Sequence, residues 1–173
     1  MGIFNSDRPK ISIKKLKKSV FEQLLSIVSI LLFIGSVVFL VVMWSELPVQ
    51  VPGHFGITGE VTRYGSRWEL VVLLIVGAGL YLLMHVLEKY PHLHNYPIEI
   101  TESNAEEAYR ISRSLIVYIK NIILILFALM MINSMIIALG WGEVIGFVLL
   151  PLVFLGTGLP IIRAIVKLMK LNS

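Results

Sequence analysis

The chain has no cysteine among its 173 residues, which removes disulfides, thiol nucleophiles and Cys-based metal sites. Charge is also scarce. Asp, Glu, Lys and Arg make up 15% of the residues, where a soluble domain carries about 25%. No G-x-S-x-G elbow, H-E-x-x-H helix or phosphate-cradling glycine loop occurs, so the chain reads as a non-enzyme with no cofactor and no metal. The central portions of its apolar runs hold no Asp, Glu, Lys, Arg or His, the groups on which proton-coupled pumps and voltage sensors depend.

Apolar residues are abundant, at 57% of the chain. Four runs, 24–43, 70–87, 115–139 and 144–166, suffice to cross a hydrocarbon core of about 30 Å, which takes roughly 20 helical residues. The expected fold class is all-α: a polytopic membrane protein with four transmembrane helices and an ordered extracytoplasmic loop between helices 1 and 2. Residues 1–173 form one integral membrane domain, because four spans leave no room for a separate soluble one. The first run is too long for the apolar part of a signal peptide and is expected to stay as a span.

The basic residues set the expected orientation. Arg8, Lys10, Lys14, Lys15, Lys17 and Lys18 precede the first span, Lys89, Arg110, Arg113 and Lys120 follow the second, and Arg163, Lys167 and Lys170 close the chain. The loop 44–69 has only Arg63 and Arg67. By the positive-inside rule both termini and the loop 88–114 are cytoplasmic, in a bacterial cytoplasmic membrane, and loop 44–69 is outside. Trp44, Trp68 and Trp141 then form an outer belt.

Ahead of the first span, "RPKISIKKLKKSVFEQL" places Ile13, Leu16, Val20 and Leu24 on one helical face, which predicts a basic amphipathic surface helix held by the bilayer and its anionic lipid. Nothing resembles a groove-reading module, so nucleic acid is not an expected partner. In "LPVQVPGHFGITGEVTRYGSR" (47–67), Pro48 and Pro52 favour extended backbone and four glycines supply turns. His54, with Glu46, Glu60 and Glu69 nearby in sequence, fits a poor metal site or a hydrogen-bonded tie for the loop. His85, His92 and His94 form a similarly poor set.

The middle loop breaks at Pro91 and Pro97, and Ser103 with Glu106 predicts a capping box starting a helix that runs into the third span. Glu106 and Arg110 form an i,i+4 pair. Gly35, Ser36, Gly77, Gly79, Gly146, Gly156 and Gly158 are candidates for close helix contact. Pro151 and Pro160 are expected to kink the fourth span. Asn133 and Ser134 are expected to bond between helices. No internal repeat suggests an inverted-repeat transporter.

Two stretches carry a resemblance. Leu47, Pro48, Pro52, His54, Phe55, Gly59, Arg63, Gly65 and Arg67 resemble the "LPxxIPxHFNxxGxxDxxGSK" signature of the bacterial domain of unknown function 1648, which also forms the N-terminal region of SdpI-type toxin-immunity proteins. Asn95, Tyr96, Pro97, Ile100, Thr101, Glu102, Asn104, Ala105, Tyr109 and Arg110 are similar to the family's "NYPxxITxENAxxxYR" segment. Gly56, Thr62 and Arg67 stand where the family has Asn, Asp and Lys.

The resemblance implies a membrane protein that senses, or gives immunity to, a membrane-active peptide toxin. His54, Phe55, Gly59, Arg63 and Arg67 would form the ligand-binding surface, with Phe55 packing apolar side chains and the arginines holding carboxylate or lipid phosphate. Asn95, Tyr96, Pro97, Thr101, Asn104, Tyr109 and Arg110 would be the cytoplasmic element read by another membrane protein. Two other readings stand beside this one: a loop that merely caps the bundle, and a small transporter or accessory subunit working as a homo-oligomer.

Overall fold

Ser19 begins the first long helix: its hydroxyl accepts from the Glu22 amide at 3.2 Å, while the Glu22 carboxylate accepts from the Ser19 amide at 2.7 Å. This reciprocal box satisfies two amides that the helix itself cannot. In the computed structural model, which describes residues 8–142 and 146–171 apart from the side chains of Lys14, Gly146 and Phe147, helix α1 then runs Val20–Met43. Strands β1 (Gln50–Phe55) and β2 (Val61–Ser66) follow, then α2 (Trp68–Leu87), α3 (Ala105–Ala138), α4 (Gly146–Val153) and α5 (Leu159–Met169). The fourth apolar stretch, Val148–Met169, runs through α4 and α5, so four stretches are long and apolar enough to span a membrane.

Helix α3 is the axis of the bundle, with α1, α2 and α5 each packed on it. Of its apolar stretch 39% is buried inside the protein, against 17%, 11% and 6% for the other three, so those three turn most of their surface to lipid. The α1–α3 seam is polar and small. Glu22, Ser29 and Ser36 are buried at seven-residue spacing on α1, and Ser29 Oγ donates to Asn121 Oδ1 at 2.6 Å while Asn121 Nδ2 donates to Ser26 Oγ at 3.0 Å. Such bonds contribute about 0.6 kcal/mol each. They also leave no polar group of the seam facing lipid unpaired.

Most of the expected architecture is present, with four corrections. The all-α class holds as mainly α, but the loop between the first two spans is a two-stranded antiparallel hairpin. The basic segment before α1 is no surface helix: it forms only a single 3-10 turn at Ile13–Lys15. Its apolar residues find a better burial than the bilayer surface, because Leu16 packs with Ala105 and Tyr109 at the base of α3.

The capping box at Ser103 does not form. Asn104 is the N-cap, and its side chain turns back to accept from the Thr101 amide at 2.9 Å and donate to the Glu99 carbonyl at 3.0 Å. The Glu106–Arg110 pair does form, at 3.0 Å. Of the described glycines in the spans, only Gly77 and Gly156 sit under a neighbour, Phe127 and Ile122 respectively; a Cβ at Gly35, Gly79 or Gly158 would meet nothing within 4 Å. The surroundings of Gly146 and the start of the fourth run at Val144 lie outside the described residues. Between Pro151 and Pro160 the helical ladder takes one wide π turn at Phe154–Gly158, as expected where prolines withhold amides.

Candidate functional site

The hairpin is built on proline and glycine chemistry. Its strands pair from Gln50↔Ser66 to Phe55↔Val61, with two register irregularities, one at Gly53 between Pro52 and His54 and one between His54 and Phe55. The turn closes through Gly59 N–H to the Gly56 carbonyl (3.0 Å) and Gly56 N–H to the Glu60 carbonyl (2.8 Å). Gly59 has φ +94°, a conformation that a side chain would strain. The Thr58 hydroxyl donates to Glu60 and holds its carboxyl below the usual range.

Arg63 forks onto Glu69, with Nη1 and Nη2 at 2.9 and 2.8 Å from its two carboxylate oxygens, and reaches the Gly53 carbonyl at 3.2 Å. This pair lies across the bare backbones of Gly53 and Gly65, where any Cβ would collide with it. The Glu69 bonds raise the Arg63 pKa further above its ordinary value.

The hairpin is fastened to the bundle from below. Leu47 and Val51 are buried with Leu40, Leu70, Met131 and Met135, and Ser134 Oγ donates to the Pro52 carbonyl at 2.8 Å. Ser134 thus bonds to the hairpin, while Asn133 is fully buried beside it. Arg67 Nη1 donates to the Trp44 and Leu47 carbonyls, both at 3.2 Å, with its guanidinium 4.8 Å from the Trp44 ring centroid. The Trp44 carbonyl is one left over at the C-cap of α1, and the Leu47 carbonyl belongs to the segment that leads into β1.

The five residues expected to form one ligand surface therefore divide. Gly59 makes the turn, Arg67 ties the hairpin to α1, and Arg63 braces the strands. His54 is exposed with Nδ1 2.6 Å from Thr62 Oγ1, and Phe55 is half-buried. The bond of His54 therefore runs across the hairpin and not to a helix end or to Glu46, Glu60 or Glu69, and its partner is the residue standing where the resemblance has Asp. Beside them Val49, Ile57, Tyr64 and Trp68 expose large apolar surfaces.

The opposite end holds a charged cluster that the sequence did not suggest. Glu88, just past α2, is 3% exposed and binds Lys120, Lys18 (2.8 Å) and Arg113 (3.3 Å). Lys120, 1% exposed, also lies 3.1 Å from His85 Nδ1 and over the Tyr81 ring. Burial pushes the Glu88 carboxyl up, but the Lys120 and Lys18 ammonium groups pull it down further, leaving it below the usual range. The available signal was Lys120 itself, a cation five residues inside an apolar run; its partner lies 32 positions earlier.

The second set of expected site residues lines this end, with Tyr96, Asn104 and Tyr109 turned partly or wholly inward. Tyr109 is fully buried, with its hydroxyl on the Pro9 carbonyl at 2.9 Å. Tyr96 donates to the Pro91 carbonyl at 2.8 Å under the Arg8 guanidinium, and burial raises its pKa. Thr101 and Asn104 close the turn before α3. Only Asn95, Pro97, Thr101 and Arg110 are exposed, Arg110 being paired with Glu106 and Glu107.

The His94 ring is used at both nitrogens: Nε2 donates to the Leu87 carbonyl at 2.9 Å and Nδ1 accepts from Ser112 at 2.7 Å. A carbonyl can only accept, which fixes this tautomer. Desolvation is the main reason its pKa is lowered.

Residues 31–78, the second half of α1, the hairpin and the first half of α2, match a family described as a domain of unknown function. The matching model is that of DUF1648. The DUF1648 match covers the first of the two resembling stretches, and 95–110 falls outside it. An uncharacterized protein of Archaeoglobus fulgidus is 36% identical over 62 residues, 31% of this chain and 34% of that protein. The aligned part thus spans about a third of that relative's length. No solved structure gives a significant match.

Proposed function

We propose that this is a non-enzymatic multi-pass protein of a bacterial cytoplasmic membrane, with both termini cytoplasmic, whose hairpin reads a membrane-active peptide from outside as a sensor or immunity protein. The observation that carries this reading is a preformed hairpin pinned to the bundle through Leu47, Val51, Pro52 and Arg67 while Thr62, Arg63 and Tyr64 of β2 stay exposed. A two-stranded sheet has free backbone edges, to which an extended peptide can add as a further strand. Tyr64, Ile57 and Trp68 offer apolar contact beside that edge. Pinning lowers the ordering cost of binding, since the receiving edge is already fixed.

The bland reading, a hairpin that only caps the bundle, uses the same bonds. Survival separates the two. A sensitive bacterium expressing the protein is challenged with a panel of membrane-active peptide toxins, beside Tyr64→Ala and His54→Ala at matched membrane levels. Protection by the unaltered protein that both variants lose supports peptide reading. Protection against none of the panel removes it for those toxins.

A transporter, or transporter subunit acting as a homo-oligomer, is the second reading, favoured by the buried polar seam of Ser26, Ser29 and Asn121 between α1 and α3. Substrate-dependent flux in proteoliposomes would support it, and sealed vesicles would not.

A further inference from the structure

Helices α1 and α5 both pack on α3, and between them a cavity of about 400 Å³ opens, walled by Phe21, Leu115, Leu155 and Leu159. Phe21, Leu155 and Leu159 are all more than half exposed, so this trough lies open to the acyl region. At its basic end the wall becomes Arg163 and Lys167. There it meets a second cavity of about 200 Å³, lined by Lys17, Lys18, Glu22, Arg110 and Arg113. The two share Ser114 and Tyr118, and so form one amphipathic groove.

The charges of the groove are unevenly satisfied. Lys18 and Arg113 are committed to Glu88, and Arg110 to Glu106 and Glu107. Glu22 is committed as well, accepting from the Ser19 amide and from the Ser114 hydroxyl. Lys17, Arg163 and Lys167 have no carboxylate within ion-pair distance among the described residues. Arg113 Nε is buried with no hydrogen-bond partner among them. Unpaired guanidinium and ammonium groups at a groove mouth match phosphate oxygens as acceptors.

The geometry points to a binding site for a single anionic phospholipid, with one acyl chain in the Phe21–Leu159 trough and the phosphate held among Lys17, Arg163 and Lys167. An inorganic anion would fit the charges but leave the trough empty. A zwitterionic lipid would fill the trough but bring an ammonium group toward the three unpaired cations. The site lies at the opposite end from the hairpin and does not rest on the peptide reading.

The test is native mass spectrometry of the detergent-purified protein titrated with phosphatidylglycerol or phosphatidylcholine. Expected is one tightly held phosphatidylglycerol, retained at least ten-fold better than phosphatidylcholine and undisturbed by millimolar inorganic phosphate. Arg163→Ala/Lys167→Ala should lose that preference, and Leu155→Trp, which fills the trough, should lose the bound lipid. All three positions are exposed, so unchanged melting curves verify that the variants fold. Equal retention of the two lipids, preference surviving in the double variant, or displacement by inorganic phosphate would each overturn the site.

Discussion

Replacing Glu88 by glutamine keeps the side-chain volume and removes the one anion among three cations. Lys120, at 1% exposure, cannot reach water and would be left as a buried ammonium beside a neutral amide. Breaking a buried pair in this way costs about 3–5 kcal/mol. Lys18 and Arg113 add less, since they are 25% and 13% exposed. Lys120→Met is the informative partner. Glu88 would keep Lys18 and Arg113, so the loss should be nearer the roughly 1.5–3 kcal/mol of a single charged hydrogen bond.

Combining the two changes removes the stranded charge, so the double variant should be more stable than Glu88→Gln alone, a coupling of at least about 1 kcal/mol. Equilibrium unfolding in mixed micelles, followed by tryptophan fluorescence, reads all four proteins. A Glu88→Gln protein within about 0.5 kcal/mol of the parent, or strictly additive losses, would refute the assignment of this cluster as a buried, mutually dependent network.

Other consequences are simpler to check. His94 is held neutral in the fold with its pKa below 6.5, so its contribution to stability is present above pH 6.5 and is lost as pH falls through the folded value; unfolding midpoints at pH 8 and pH 5.5 should differ less for His94→Gln than for the parent. Gly77→Leu should destabilise by about 1–3 kcal/mol through overpacking on Phe127, while Gly79→Leu, with nothing within 4 Å, should melt like the parent. Gly59→Val should destabilise the hairpin because of its positive φ, and faster proteolysis within residues 50–66 would report it.

The spans were legible because lipid imposes a length and composition that no soluble context requires, and Lys120 was the one exception deep enough to matter. Pro48, Pro52 and Gly59 announced extended backbone and a turn. They did not announce paired strands, because β2 exposes most of its residues and shows no apolar alternation. Ile13 and Leu16 had helical spacing, yet tertiary burial against Tyr109 won over the amphipathic pattern. Ser103 and Asn104 have similar capping chemistry, and only the three-dimensional turn at Thr101 chose between them. Glycine spacing likewise could not say that Gly77 faces Phe127 while Gly79 faces open space. The charged cluster needed the fold itself, since Lys18, Glu88, Arg113 and Lys120 come from separate elements.

The hairpin can read a peptide from outside only if it faces outside, and the cysteine-free chain offers a clean measurement. Single cysteines at Thr58 and Asn104, in turns at opposite ends of the bundle, are treated with a membrane-impermeant thiol reagent in intact cells and in inverted vesicles. The account predicts that Thr58→Cys reacts only in intact cells and Asn104→Cys only in inverted vesicles. The reverse pattern, or equal reaction of both in intact cells, would contradict it.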